Sequence, residues 1–408
     1  MLMTLKQPLS GSISTEDLLH LRQLELNSLL EVTQAINANL SEESLYKIFH
    51  FTLIANLQIK KLALYVHDEG WSCKVNYGTK TDFKTIRLTE DITGIKKIGE
   101  VPDEYIPFNE FDYILPIAHK NQPLAFVLAG GIKGKLPDFS FIQTFTNIII
   151  VAIENKKLAR KELRQEALRK ELEIAREVQA MLFPKTLPEE GHLKINASYF
   201  PHHTIGGDYY DYVKLNENEH LICIADVSGK GIPAAILMSN FQASLRTLVR
   251  QTLDLKQTVN ELNYLIKANS KGERFITFFI AIYNAENRSL NYINAGHNPP
   301  VVVNAEGQAS FLEIGTTVIG VFDQLPFIEE GSITIDSKSL LFLYTDGLTE
   351  TSNELGEEYG PEMLREFLVS NMNSNLKDLH SSIVNNLNNF RGNKPFPDDI
   401  TFVSCLIS

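Results

Sequence analysis

Between Ile149 and Phe183 the chain contains neither glycine nor proline, and Pro184 closes the stretch. From Glu154 to Glu177 it carries eight Lys or Arg and six Asp or Glu. Charge of this density stays in water, and a run without breaker residues favours one continuous helix. Such a helix is a connector, and the regions on either side of it differ in texture. Leu168, Leu172, Ala175 and Leu182 fall at heptad a and d steps, with the polar Gln179 between the last two. That spacing predicts that two connectors pair as a short parallel coiled coil, Gln179 fixing the register. The alternative is a single solvated helix whose charges pair at i,i+4.

The 408 residues suffice for two or three domains of ordinary size. The expected divisions are residues 15–152, the connector 153–183, and residues 184–408. Hydrophobic residues make up 44% and charged residues 22%, as in globular domains. The net charge of −12 leaves no basic excess to attract nucleic acid or anionic lipid, so neither is an expected partner. Cys73, Cys223 and Cys405 are far apart and odd in number. They form no disulfide framework and no paired zinc spacing, which suits a reducing compartment. Met1–Ser14 lacks the apolar stretch of a signal peptide. The apolar runs, such as Ile148–Ile153, fall far short of the roughly 20 residues of a membrane span. A cytoplasmic protein is expected.

The first region opens with helical periodicity through Leu18, Leu21, Leu29, Val32 and Ile36, widened by Leu19, Leu26 and Leu30. Ser41 reads as a helix N-cap with Glu42 and Glu43 in the first turn. Strands are expected at Leu62–His67, Tyr113–Ala118 and Leu124–Ala129, the last two joined by a hairpin loop over 120–123. Residues 78–109 are polar and irregular, and a last helix starts near Asp138. The third region is mostly strand-like. Its candidates are Leu221–Val227, Thr277–Tyr283, Ser289–Asn294, Pro300–Asn304, Leu340–Thr345 and Thr401–Leu406. Gly229 to Pro233 leads into a helix reaching Gln251.

In this third region aspartates recur beside glycine or at strand ends. Asp208 and Asp211 lie in Gly206-Gly207-Asp208-Tyr209-Tyr210-Asp211. Asp226 ends an apolar strand, Asp346 follows another, and Asp398 and Asp399 precede the last. An aspartate closing a strand points its carboxylate out of the sheet edge, and an adjacent glycine lets a ligand approach. Converging carboxylates repel: two unit charges 4 Å apart cost about 4 kcal/mol at an effective dielectric near 20. Two divalent cations balance four carboxylates, and an all-oxygen donor set favours Mg²⁺ or Mn²⁺ over Zn²⁺. A pair of such ions activates water for attack on a phosphate ester. Any one of these aspartates alone is equally a turn residue.

At these residues the chain resembles the metal-dependent PPM protein phosphatases, in their bacterial SpoIIE/RsbU branch. The resemblance covers about Ala175 to Leu406. It rests on the Ala175–Pro184 helix, Gly206–Asp211, Asp226–Met238, Phe275–Phe279, Asn294–Pro300, Tyr344–Glu350 and Asp398–Thr401, all in the family's order. It implies an α+β fold in which two antiparallel sheets form a sandwich flanked by helices. It also implies roles. Asp226 matches the aspartate that bridges both metals, and the Val227 carbonyl a backbone ligand. Asp208 matches the first-motif carboxylate, so Asp208 and Asp226 are the catalytic pair. Asp346 and Asp398 match the carboxylates of the first metal, with Asp399 standing beside Asp398 as the alternative. Asp211 belongs to the motif as a weaker candidate. His297 is either a proton donor to the leaving serine or a turn residue, and Lys230 either a phosphate contact or a solvated loop residue. His202 and His203 stand where the family has smaller residues and are read as surface residues. The first region resembles a GAF sensory domain, with a PAS-like domain as the alternative.

The resemblance implies a phosphoserine/phosphothreonine protein phosphatase using two Mn²⁺ or Mg²⁺ ions. Its expected substrate is a phosphorylated STAS-type regulator of a partner-switching pathway. A sensor domain would control it, and the connector predicts a homodimer. A non-catalytic regulatory module on the same fold is the alternative, and would call for lost carboxylates. Nucleotide cyclisation also uses a Gly-Gly-Asp turn, but it leaves the Asp346 and Asp398 blocks unexplained.

Overall fold

The computed structural model describes residues 15–57, 59–68, 70–119, 122–132 and 138–408. Met1–Ser14 and residues 120 and 121 of the hairpin loop lie outside them. By internal contacts the chain divides into two units, Met1–Glu166 and Ala167–Ser408.

The first unit runs α1 (Thr15–Asn37), α2 (Glu42–Leu57), β1 (Lys61–His67), β2 (Trp71–Tyr77), α3 (Glu90–Thr93), β3 (Gly99–Glu100), β4 (Tyr113–His119), β5 (Gln122–Gly130) and the start of α4 (Phe139–Ala180). Its strands form one antiparallel sheet in the order β2-β1-β5-β4-β3. Both faces of the sheet are apolar. Leu62, Leu64 and Val66 pack with Phe49, Phe145 and Ile149 from the helices. Tyr65, Phe126 and Leu128 pack with Phe83 and Phe108 from the segment that reads as irregular and with Phe111 just after it. Ser41 caps α2 as expected, its Oγ accepting from Ser44 N at 3.1 Å. Leu19, Leu26 and Leu30 are exposed rather than part of the buried stripe, because the apolar face of α1 is narrow and Val32 and Ala35 fill it.

The helix expected near Asp138 and the charged connector are one element. Asp138 caps α4, its Oδ1 accepting from Ser140 N at 2.9 Å and Phe141 N at 3.2 Å, and the helix then runs 42 residues. The heptad face is not a free seam at its end. Gln179 is buried and donates from Nε2 to the Gly206 carbonyl at 2.8 Å. Leu182 packs on the helical layer of the second unit. Upstream of it, Leu168 and Ala175 of the heptad face are exposed, and so on the other side are Leu163, Ile174, Val178 and Met181.

The second unit continues with β6 (Leu193–Phe200), β7 (Tyr209–Lys214), β8 (Glu219–Val227), α5 (Ile232–Leu248), α6 (Leu255–Ser270), β9 (Ile276–Asn284), β10 (Ser289–Ala295), β11 (Val301–Val303) and β12 (Ala309–Phe311). It ends with β13 (Gly315–Thr316), β14 (Gly331–Thr334), β15 (Ser339–Tyr344), α7 (Asp346–Thr349), α8 (Gly360–Asn371), α9 (Leu376–Arg391) and β16 (Ile400–Ile407). One sheet has the order β13-β10-β9-β8-β7, with β14 also on β10, and the other β12-β11-β15-β16-β6. Pairing is antiparallel throughout except for β10 with the short β13.

Period-two alternation assigns the faces. Ile222, Ile224 and Phe279 of one sheet meet Leu341, Leu343 and Val403 of the other between the sheets. Cys223, Ala225 and Phe278 face α5 and α6, and Phe342, Tyr344 and Phe402 face α8 and α9. The result is the expected α+β sandwich, helices on both outer faces. All three cysteines are free and buried. No helix among the described residues is long and apolar enough to cross a membrane.

The outer helix α9 carries a buried histidine whose ring bridges two strands. His380 Nδ1 lies 2.7 Å from Ser198 Oγ of β6, and Nε2 lies 2.6 Å from Ser404 Oγ of β16. Burial lowers its pKa from 6.5 to about 4. The unfolded chain takes up that proton first as pH falls, so the stabilisation is complete above about pH 6.5 and is lost towards pH 4. The difference is of order 3 kcal/mol at 1.36 kcal/mol per unit. Urea midpoints are expected to fall between pH 7.5 and pH 5, and His380→Gln to flatten that slope.

Candidate active site

Strand geometry brings the aspartates to one end of the sandwich. Asp226 shares a β8 face with Ile222 and Ile224, so it points between the sheets at the strand's end. β7 pairs Tyr209 with Ala225, and one step further along sets Asp208 beside Asp226. The two carboxyl groups are neighbours, and the charge of Asp226 raises the pKa of Asp208. Asp208 is buried, and its Oδ2 accepts from Thr345 Oγ1 at 2.9 Å and from Thr401 Oγ1 at 2.5 Å. Both threonines belong to the opposite sheet's strand ends, so this one carboxylate ties the two sheets together at the site.

Asp346 opens α7 directly after β15. Asp398 lies just before β16, with its Oδ2 at 2.9 Å from Lys230 Nζ. Asp399 is differently engaged: its Oδ1 accepts from His202 N at 2.7 Å and its Oδ2 from Gly207 N at 2.8 Å. It therefore buckles the 202–207 loop around the site. A Cβ on Gly206 would fall 2.1 Å from both Asp399 Oδ2 and Tyr199 Oη. A Cβ on Gly207 would lie 2.9 Å from the Val227 carbonyl oxygen, so that carbonyl faces the Gly-Gly turn.

The charges feel one another. Burial, then Asp226 and Asp399, hold the Asp208 carboxyl well above the usual carboxylate range. Burial, then Asp346, Asp398 and Asp399, push Asp226 up to about 7. Asp346 is raised by burial and by Asp398. Among the described residues no three His, Cys, Asp or Glu side chains are already drawn into a tight cage, as expected of like charges without a counterion. Two features show that the site suits cations. The charge of Asp226 raises the pKa of the buried Asp208, and an ammonium group rests on Asp398. The donors are all oxygens, which fits Mg²⁺ or Mn²⁺.

Other candidates lie elsewhere. Asp211 is buried away from the cluster. It takes Arg246 Nε at 2.8 Å and Nη2 at 2.9 Å, and Tyr209 Oη at 2.5 Å, so it clamps α5 to the sheet. His297 is buried in the turn after β10. Its N donates to Asn294 Oδ1 at 2.7 Å, and its Nδ1 lies 2.8 Å from Thr277 Oγ1. Thr277 pairs with Asp226 across β8 and β9, so His297 supports the floor of the site. His202 and His203 are exposed. Thr345 and Thr401 are given no role by the sequence reading, and Gln179 is read there only as a register residue of the connector. The two threonines directly adjoin the Asp346 and Asp398-Asp399 blocks, a signal that sequence carries, whereas Gln179 reaches a main-chain carbonyl that no motif marks.

A family model described as Stage II sporulation protein E (SpoIIE) matches residues 216–406. The phosphoserine phosphatase RsbU of Bacillus subtilis is 30% identical over 224 residues, 54% of this chain and 66% of that protein. The C-terminal unit is a SpoIIE-type PP2C domain. The span matched to SpoIIE includes Asp226, Val227, Asp346, Asp398 and Asp399 and starts after Asp208. Protein IcfG of Synechocystis sp. is 29% identical over 276 residues, 61% of this chain and 43% of that protein. The chain thus spans 43% to 66% of the length of these two relatives. The SiaA-PP2C domain of Pseudomonas aeruginosa matches with a TM-score of 0.53 at 20% identity, over 60% of this chain and 99% of that domain. It shares the fold of this SpoIIE-type domain.

Proposed function

We propose that this chain is a metal-dependent protein-serine/threonine phosphatase controlled by its N-terminal unit. The observation that carries the reading is the gathering of Asp208, Asp226, Asp346 and Asp398 at one end of the sandwich. Asp226 would bridge two Mn²⁺ or Mg²⁺ ions, with Asp208, Asp346, Asp398 and the Val227 carbonyl as the other protein ligands. Asp399, with both oxygens on main-chain amides, organises the loop beside them. Such ions, when bound, activate water and neutralise phosphoryl charge for in-line displacement. Thr345 and Thr401 hold the Asp208 carboxylate in one orientation. No thiol serves as nucleophile in this reading: Cys223 faces α5 and α6, and Cys405 lies between the sheets.

The same reading makes residues 15–152 a GAF-like sensor, 153–183 a connector and 184–408 the phosphatase domain. The bond from Gln179 to Gly206 is the physical link by which α4 touches the loop beside Asp208. A phosphorylated STAS-type regulator is the proposed substrate, in the cytoplasm. A homodimer through the connector would use the Leu163, Ile174, Val178 and Met181 side, since Gln179 is occupied.

Purified full-length protein with MnCl₂ is expected to hydrolyse a chromogenic phosphate ester and a phosphoserine protein, and to lose both activities in EDTA. Activity that persists in EDTA would overturn the metal-dependent reading, and no activity with either substrate would overturn the enzyme.

A further inference from the structure

Lys230 sits in the loop between β8 and α5, and its ammonium is pinned by two oxygens at the edge of the carboxylate cluster. Its Nζ is 2.9 Å from Asp398 Oδ2 and 3.0 Å from the Pro397 carbonyl. The loop's shape is fixed from outside. Arg274 Nη1 donates to the Ser228 carbonyl at 2.8 Å and fills the space where a Gly229 Cβ would be. Gly229 and Gly231, on either side of Lys230, have φ of +97° and +71°, a backbone region that glycine adopts without strain. The main chain that carries Lys230 is therefore held in place by the fold.

A carboxylate oxygen that holds an ammonium is not free to hold a divalent ion. We infer that Lys230 is a tethered counter-cation that competes with metal for Asp398 and so sets how readily the site loads. This rests on the metal-dependent reading above. The competition is a tuning device and not a block. The side chains of Lys230 and Asp398 are 46% and 39% exposed, so water screens the pair and the lysine has room to leave. Lys230 also lines a cavity of about 390 Å³ with Leu172, His203, Thr204 and Ile232, which gives the displaced side chain a neighbouring space. The same charge has opposite effects in the two states. Without metal it neutralises part of a repelling cluster, and with metal it adds to the positive charge.

Lys230→Gln should therefore do two opposite things to the full-length protein. In EDTA its unfolding midpoint should fall. By titration calorimetry with MnCl₂ its affinity should rise, by about fivefold for an exposed pair. Lys230→Arg, which keeps the charge, should stay near wild type in both measurements. In an Asp398→Asn background Lys230→Gln should no longer tighten Mn²⁺. An unchanged or weaker Mn²⁺ affinity in Lys230→Gln, with wild type binding normally, would overturn the competition and leave the phosphatase reading standing. Absence of Mn²⁺ binding to wild type would overturn both.

Discussion

Asp226→Ala is expected to reduce turnover of a phosphoserine protein by about a thousandfold or more, roughly 4 kcal/mol of lost transition-state stabilisation. Asp226 is where the two groups of carboxylates meet. It lies beside Asp208 at the end of the β7–β8 pairing on one side and feels the charges of Asp346 and Asp398 on the other. The fold should not suffer. Removing one negative charge from a crowded, largely buried cluster relieves repulsion, so the metal-free variant should unfold at the wild-type temperature or above it. Steady-state rates at saturating MnCl₂ and a thermal melt in EDTA check the two halves. Wild-type turnover would remove Asp226 from the mechanism, and a large loss of stability would show that it is instead a structural residue.

The second large effect is expected at Gly347. An added Cβ would lie 2.1 Å from the Asp399 carbonyl oxygen and 3.0 Å from its carbonyl carbon. Both atoms are main chain and cannot rotate aside. Gly347→Ala must therefore push α7 off the segment entering β16, separating Asp346 from Asp398. Overpacking of this kind costs about 3 kcal/mol, or roughly 6–12 °C in the melting temperature of a domain this size. Mn²⁺ affinity should fall with it. Gly70, with nothing within 4 Å of an added Cβ, supplies the neutral comparison as Gly70→Ala. A melt unchanged at Gly347→Ala would show that the α7 contact is not close in solution.

What was legible in the sequence follows from the range of each interaction. Asp226 could be placed because the apolar run Leu221–Ala225 is a local signal, and the strand ends at Val227 as expected, though it starts two residues earlier, at Glu219. The sheet order could not be derived from residue spacing, since nothing local says that β16 lies between β15 and β6. The resemblance to a known fold supplied the pair of antiparallel sheets and not the order of strands within them. The connector is continuous with the helix that starts at Phe139. Its apolar first half and charged second half look like two elements, yet no breaker divides Phe139 from Ala180. The expected seam failed at Gln179, whose partner is a main-chain oxygen 27 residues away. Asp211 shows the converse. It sits in a motif with Asp208, but three residues along, past the start of β7, it falls on the other face and meets Arg246.

The buried thiols have a practical side. Burial raises the pKa of Cys73 to about 12 and lifts Cys223 and Cys405 well above the ordinary thiol range. At neutral pH almost no thiolate is present to react, and none of the three sulfurs is at the surface. The natural chain is thus already a silent background for site-directed labelling. A single cysteine at Leu163, exposed on the connector, would take a maleimide dye without first stripping the native cysteines. Any motion of that helix during signalling could then be followed by fluorescence in the otherwise unaltered protein.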